Sequence, residues 1–408
     1  MTAREYPVFT VTPKAERSLR AGHPRVYGEE VTAVEGAYQN GDMVDVVSNK
    51  GRYLGTGWVN DHSKIRVRII SHNANDTFDE AFFRRRVCYA LNYRKTVMGP
   101  VDYRCCRLIF GEADQFPGLT VDRFENILVT QVLSLGMERR KDWVYRALVE
   151  LLREDGEQID AIYERNDVTI RTLEGLEQGK GFYQMEWLRT DLSGHVTITE
   201  NGIKYDVDYI EGQKTGFFLD QKYNRQAAAK LARGRRVLDC FTHTGAFALN
   251  AAAAGAEHVT AVDVSAFALE LAAENGKRNG LTNLDYKCAD VFDLLTEMAK
   301  EKKCDYDYII LDPPAFTKSR ATAKNAYHGY KEINRKAMRL LPRGGYLATC
   351  SCSHFMTDEM FRKMLREAAL DAGVTLRQIE ARQQAPDHPI LPGVPETDYL
   401  KFYLLQVV

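Results

Sequence analysis

From residue 235 onward, short apolar runs alternate with segments of helical period. RRVLDCF (235–241) predicts a buried strand, and GAFALNAAAAG (245–255) an alanine-rich helix closed by a glycine. HVTAVDV (258–264) and SAFALELAAENGKRNG (265–280) repeat the pair, with Ser265 as N-cap and Gly280 as stop. The alternation continues through LDYKCAD (284–290), a helix near 291–302, YDYIILDPP (306–314), a helix near 325–341, YLATC (346–350) and a helix near 357–372. Strands near 374–381 and 399–407 end it. Such alternation predicts an α/β domain with a doubly wound parallel sheet. Ligands of such sheets sit outside the carboxyl ends of the strands.

Upstream the period changes. VTITENGIKYDVDY (196–209) alternates with period two around Asn201-Gly202, the signature of a hairpin with a two-residue turn. Residues 76–190 mix strands such as NILVTQVLSL (126–135) with one charged amphipathic helix near 137–153, which predicts a small α+β domain. In the first 75 residues, VDVVSNKGRYLGTGWVND and KIRVRIIS predict short strands with glycine turns, hence a small β-barrel. The expected division is 1–75, 76–190 and 191–408, the last including the hairpin.

Composition narrows the class. At 45% hydrophobic and 27% charged residues over 408 positions, the chain is of ordinary globular type with material for two or three cores. A net charge of −1 lends no support to a strongly basic nucleic-acid binder, although local patches remain open. No apolar run is long enough for a membrane span, and MTAREYPVFTVTP lacks the order of a signal peptide. Eight scattered cysteines without a C-x-x-C pair argue against a zinc site and suit a reducing cytoplasm.

The strand ends carry the chemistry. Asp239 ends the first strand and Gly245 opens the following helix, without the G-x-G-x-x-G fingerprint. Backbone N–H groups near Thr244 and Gly245 are expected to hold a carboxylate. Asp263 ends the second strand, where an acid accepts ribose hydroxyls. Asp290 ends the third, within reach of an exocyclic amine. A nucleoside bearing an amino acid satisfies all three, and S-adenosylmethionine is such a molecule. NAD is the competing cofactor, and the competing structural role for each acid is a helix cap.

LDPPAF (311–316) ends the fourth strand, where two prolines stiffen the loop that presents Asp312. Asp312 suits hydrogen bonding to a flat heterocycle and Phe316 suits stacking. The fifth strand delivers TCSCSHF at the same edge. A thiolate adding at carbon 6 of a pyrimidine activates carbon 5 toward a sulfonium methyl donor, and an acid at N3 favours the addition. The scheme needs a cysteine, an acid and a cofactor at one cleft. Packing is the alternative role for Cys350 and Cys352. Asp387 and His388 are candidates to lie over that cleft.

The chain resembles the bacterial ribosomal RNA large-subunit methyltransferase I family. RSLRAGHPRVYGEEV (17–31) is similar to the start of its PUA domain. GQKTGFFLDQKYNR (212–225), LDCFTHTGAFAL, LDPPAF, SCSHFM and DHP followed by YLK match its methyltransferase motifs in order. The resemblance implies a PUA domain, a central α+β domain and a Rossmann-like methyltransferase domain that makes 5-methylcytosine in structured 23S RNA. It implies Cys352 as nucleophile, with Cys350 as runner-up, and Asp312 against the base. It adds Lys214, Phe217 and Gln221 to the cofactor contacts. These join Asp239, Phe241, Thr244, Gly245, Asp263, Ser265, Asp290, Val291 and Asp312. Arg17, Arg20, Arg25, Lys64, Arg66 and Arg68 become candidates for an RNA phosphate face. No metal is implied, and a homodimer through a sheet edge or the central domain is left open. Many other RNA cytosine-5 methyltransferases carry a second cysteine at the Asp-Pro-Pro loop. Here it reads DPPAF, as elsewhere in this family, so product release needs a different base. Methylation of another base position and a non-catalytic RNA-binding role are the alternative functions.

Overall fold

The computed structural model describes residues 5–301, 304–317 and 319–408. The chain divides into two compact units.

The first unit comprises Met1–Ile198, Val207–Leu219 and Pro386–Thr397. It opens with β1 (Val8–Val11), α1 (Pro13–Arg20), β2 (Arg25–Tyr27), β3 (Val31–Glu35), β4 (Met43–Ser48), β5 (Tyr53–Val59) and β6 (Ile65–Ser71). These strands form one curled sheet in the order β2-β6-β5-β4-β1-β3 around Phe9, Val11, Leu19, Val44 and Val67. Next come α2 (Glu80–Val97), β7 (Cys105–Phe110), β8 (Leu119–Phe124), β9 (Ile127–Val132), α3 (Leu135–Glu138), α4 (Lys141–Glu154), β10 (Ala161–Asn166) and β11 (Gly179–Phe182). A second sheet runs β11-β10-β9-β8-β7.

Two elements differ from expectation. Helix α2 has 18 residues and no counterpart in the pattern, because three successive arginines interrupt its apolar side and the fully buried Arg94 is a charge. Arg94 forms an ion pair with Asp114, which neutralises it inside the unit. Asp79 caps the helix by accepting from Phe82 N at 2.9 Å. The helix expected near 137–153 is interrupted at Arg139 and Arg140, between α3 and α4.

The hairpin forms from β12 (His195–Glu200) and β13 (Ile203–Asp208). Asn201 and Gly202 both have positive φ, 53° and 80°, as its two-residue turn requires.

The second unit comprises Thr199–Asp206, Asp220–Ala385 and Asp398–Val408. It runs α5 (Lys222–Ala229), β14 (Arg236–Cys240), α6 (Ala246–Ala253), β15 (His258–Asp263), α7 (Ala266–Arg278), β16 (Leu284–Cys288), α8 (Val291–Glu301) and β17 (Tyr308–Leu311). It continues with α9 (Ala323–Leu340), β18 (Tyr346–Ser351), α10 (Asp358–Ala372), β19 (Leu376–Arg382) and β20 (Lys401–Val407). The sheet order is β16-β15-β14-β17-β18-β20-β19, so the direction of winding switches between β14 and β17. β14 to β18 are parallel, as the alternation predicts. β20 is antiparallel to both neighbours, a departure from an all-parallel sheet. The β18-α10-β19 crossover leaves a gap one strand wide, and the returning chain fills it in reverse.

Successive strand residues face opposite layers. Leu238, Cys240, Ile309, Leu311 and Leu347 pack with α8, α9 and α10. Val237, Tyr308, Ile310, Ala348 and Cys350 pack with α5 and α6.

Candidate active site

Parallel pairing brings the strand ends of the second unit to one edge. Cys240 pairs with Leu311, and Leu311 with Thr349, so Asp239, Asp312 and Cys350 follow each other across three neighbouring strands. Asp263 ends β15 beside Cys288, two residues before Asp290.

The loop after β14 is strained. Phe241, His243 and Gly245 have φ of 63°, 52° and 83°. Two non-glycine residues thus hold left-handed backbone, at a cost of about 1–2 kcal/mol each. Bonds on both sides enforce it. Thr242 N donates to Val262 O, His243 N to Asp263 Oδ2 and Gly245 N to Thr242 O, each at 2.9 Å. The last bond corrects the sequence expectation: the Gly245 N–H is used inside the turn and is not free for a ligand. Thr244 is buried in the same loop, while the Phe241 ring packs into the layer of α8, α9 and α10.

Asp239 is fully buried. Its Oδ2 accepts from Thr242 Oγ1 at 2.6 Å and Ala248 N at 2.9 Å, while Oδ1 has no partner among the described residues. Burial pushes its carboxyl up to about 7. The Thr242 and Ala248 donors oppose the shift, and the charges of Asp312 and Asp263 add to it.

Several predicted residues also do structural work. Asp263 accepts from Ser265 N at 2.9 Å, and Ser265 caps α7 through Ala268 N. Asp290 is exposed and accepts from Phe292 N and Asp293 N at the start of α8, where Val291 is buried. Phe316 packs on Tyr330, with ring centroids 4.5 Å apart, as part of the core and not as a free stacking surface.

Asp312 meets a partner from α5's leading turn. Gln221 Nε2 donates to its Oδ1 at 3.0 Å. Burial raises the Asp312 carboxyl to about 6 and the Asp220 charge adds, while Arg225, Cys350 and Gln221 pull it back. Cys350 is completely buried, and burial holds its thiol well above the ordinary range. Cys352 is half-buried, with Sγ 4.0 Å from the carbonyl of Pro313 in the Asp-Pro-Pro loop.

The remaining predicted residues belong to the first unit. Phe217 is buried, and the Lys214 ammonium lies 4.7 Å from the Phe218 ring. Asp387 accepts from Arg107 N at 2.8 Å, and its carbonyl accepts from Arg94. His388 Nδ1 is 2.9 Å from Asp387 Oδ1. The pair is thus buried among first-unit partners. Of the candidate phosphate contacts, Arg25 is bound to Glu112 and Glu396, and Arg68 to Glu174. Both are committed to internal ion pairs, and Arg66 is paired with Asp61. Arg17, Arg20 and Lys64 are exposed.

Residues 151–404 match the family described as S-adenosylmethionine-dependent methyltransferase, and residues 9–72 match a PUA-like domain. Ribosomal RNA large subunit methyltransferase I of Pseudoalteromonas atlantica is 40% identical over 98% of this chain and 99% of its own. That of Shewanella denitrificans is 42% identical over 97% of this chain and 98% of its own. The chain belongs to the ribosomal RNA large subunit methyltransferase I family. Two solved structures share the fold at 22% identity. One is from Streptococcus mutans, with TM-score 0.81 over 98% of this chain and all of its own. The other, complexed with SAH, has TM-score 0.82 over the same shares.

Membership makes this an S-adenosylmethionine-dependent methyltransferase, and the strand-end residues fit that cofactor. A buried carboxylate oxygen without a partner, on Asp239, suits a cationic donor. Gln221, expected to contact the cofactor, donates to Asp312. Sequence reasoning missed one residue of this edge. Lys401 passed as part of a motif, although a lysine inside the apolar run YLKFYLL was a visible signal.

Proposed function

We propose that this protein methylates carbon 5 of a cytosine in structured 23S ribosomal RNA through a covalent Cys352 adduct. The observation that carries this is the half-buried Cys352 thiol against the Asp-Pro-Pro loop, 4.0 Å from Pro313 O, at the edge where Asp312 follows β17. Relatives named as ribosomal RNA large subunit methyltransferase I support the RNA class, as does the PUA-like segment.

Asp239 would take the cofactor's ammonium, Asp263 its ribose hydroxyls, and Asp290 with Val291 its adenine. Thr244 and the backbone of Phe241 line the same loop. Lys214 and Phe217 remain cofactor contacts on the resemblance alone. The bound cofactor supplies an electrophilic methyl group on its sulfonium. Cys352 as thiolate adds to carbon 6 and leaves the electron pair at carbon 5. Asp312, with its raised pKa, is protonated often enough to donate to N3 and stabilise that pair. Once that pair held the methyl group, a base would remove the carbon-5 proton, whose bonding electrons would re-form the 5,6 double bond and expel the thiolate. The complete burial of Cys350 supports Cys352 over it as nucleophile. Exposed Arg17, Arg20 and Lys64 are the phosphate contacts retained.

Incubation with 23S RNA and labelled S-adenosylmethionine, followed by nucleoside mass spectrometry, tests this. Labelled 5-methylcytosine that disappears in Cys352→Ala is expected. Label on another base position, or full turnover by Cys352→Ala, would end the covalent scheme.

A further inference from the structure

A cavity of about 290 Å³ lies in the first unit, between α4 and the segment that follows β11. Asp142 and Arg146 line it from α4, and Tyr183, Gln184, Glu186 and Trp187 from that segment. Its volume is near the lower end of the roughly 300–1,000 Å³ of small-molecule sites, which suits one planar ring system. The segment is pinned at both ends. Tyr183 N donates to Ile162 O at 2.9 Å, and Arg189 N to Asp160 O at 2.7 Å. The Tyr183 ring meets Tyr145 edge-on with centroids 4.9 Å apart, and its hydroxyl donates to Asp142 Oδ1 at 2.6 Å. The wall is therefore formed before any ligand arrives. Trp187 nonetheless stays 39% exposed.

The polar groups of the cavity are largely unpaired. Among the described residues, the side chains of Arg146, Gln184 and Glu186 make no hydrogen bond or ion pair. Arg153, seven residues further on, is on the same side of α4 as Arg146, about 10 Å along the axis. Its guanidinium lies 5.3 Å from the Trp187 ring centroid and donates to Trp187 O at 3.4 Å. It too has no carboxylate partner among the described residues. The acids within about a turn of these arginines are engaged elsewhere. Glu150 and Glu154 bind Arg84 of α2, Asp155 binds Lys95 of α2, and Asp142 holds the Tyr183 hydroxyl.

An exposed indole, two guanidiniums without counter-ions, and a free amide and carboxylate are complementary to one heterocycle on a phosphate chain. Aromatic rings hold unstacked bases by their faces, and guanidiniums take the backbone. We propose that this cavity binds an unstacked base of the RNA substrate. The base lies on Trp187, its edge meets Gln184 and Glu186, and the adjoining phosphates meet Arg146 and Arg153. That the occupant is RNA rests on the function proposed above.

The test uses the full-length protein without S-adenosylmethionine, and a fluorescein-labelled single-stranded RNA decamer carrying one 4-thiouridine. Irradiation should crosslink the RNA to the tryptic peptide 181–189, which holds Tyr183 to Trp187. Anisotropy titrations at several salt concentrations follow affinity, and thermal unfolding follows the fold. Trp187→Leu should weaken binding about tenfold and keep the salt slope, as the loss of one stacked base requires. Arg146→Gln should reduce the slope of log K against log salt by about 0.7, the value for one phosphate contact on a single strand. Crosslinks confined to other peptides, or an unchanged affinity in a folded Trp187→Leu protein, overturn the proposal. Should that variant fail to fold, an unchanged salt slope in Arg146→Gln does so, since that side chain is exposed and unpaired. Binding is read without the cofactor. Failure to form 5-methylcytosine would thus remove the proposed reaction and leave the pocket, whereas a missing crosslink at 181–189 would remove the pocket and leave the reaction.

Discussion

Gln221 Nε2 donates to Asp312 Oδ1 at 3.0 Å, and the Gln221 carbonyl oxygen accepts from Asn224 Nδ2 at 2.7 Å. The second bond fixes the amide so that its N–H, not its oxygen, meets the carboxyl. Gln221 therefore favours the ionised form of Asp312, whose pKa burial has raised to about 6. Because the protonated form is the one that donates to N3, kcat/KM should show an alkaline limb near pH 6, falling as pH rises. Gln221→Leu removes the donor and should move that limb up by half a unit to one unit, since a hydrogen bond contributes about 0.5–1.5 kcal/mol. A limb that stays in place would detach Asp312 from catalysis.

The two cysteines at the end of β18 should respond unequally. Cys350 is core, packed with α5 and α6, so Cys350→Ala should cost about 1 kcal/mol of stability and leave most turnover. Cys352→Ala should fold normally and lose turnover by about a thousandfold or more. Steady-state rates and denaturant unfolding of both variants separate the roles.

Cofactor affinity should depend on Asp239. Its folded pKa of about 7 lies above the unfolded 3.8, so the empty protein loses stability as pH rises between those values. A bound ammonium requires the ionised carboxylate. Affinity measured by calorimetry should therefore fall up to tenfold for each unit of pH below 7 and level off just above it. Asp239→Asn should weaken binding by about 1.5–3 kcal/mol and remove that pH dependence.

Gly136 in α3 lies against Trp58 of β5, where an added Cβ would be 1.9 Å from the indole Cγ. Trp58 is 1% exposed and has no room to retreat. Gly136→Ala should destabilise the first unit by about 1–3 kcal/mol, seen as a lower first transition in calorimetry. An unchanged transition would mean that α3 shifts freely.

Much of the second unit was legible in the amino-acid order. Period and length distinguish strand from helix locally, and strand-helix alternation implies parallel strands. Parallel strands put their carboxyl ends on one edge, so Asp239, Asp263, Asp312 and Cys352 could be grouped before any coordinates. The Asn201-Gly202 turn was equally visible, because positive φ at two adjacent residues suits few sequences.

Other features came from contacts between residues far apart in the chain. Helix α2 escaped notice because the charge of Arg94 is cancelled by Asp114, twenty residues on. Arg25 and Arg68 looked available for phosphate until Glu112, Glu396 and Glu174 were found on them. The pairing of Gln221 with Asp312 spans 91 positions, and that of Lys401 with Ser353 spans 48. Side-chain periodicity is a property of neighbours within a few residues, so it reports elements and the faces they bury. The protonation and partners of a buried charge depend on which distant strand lies beside it, and the order of strands in the folded sheet decides that.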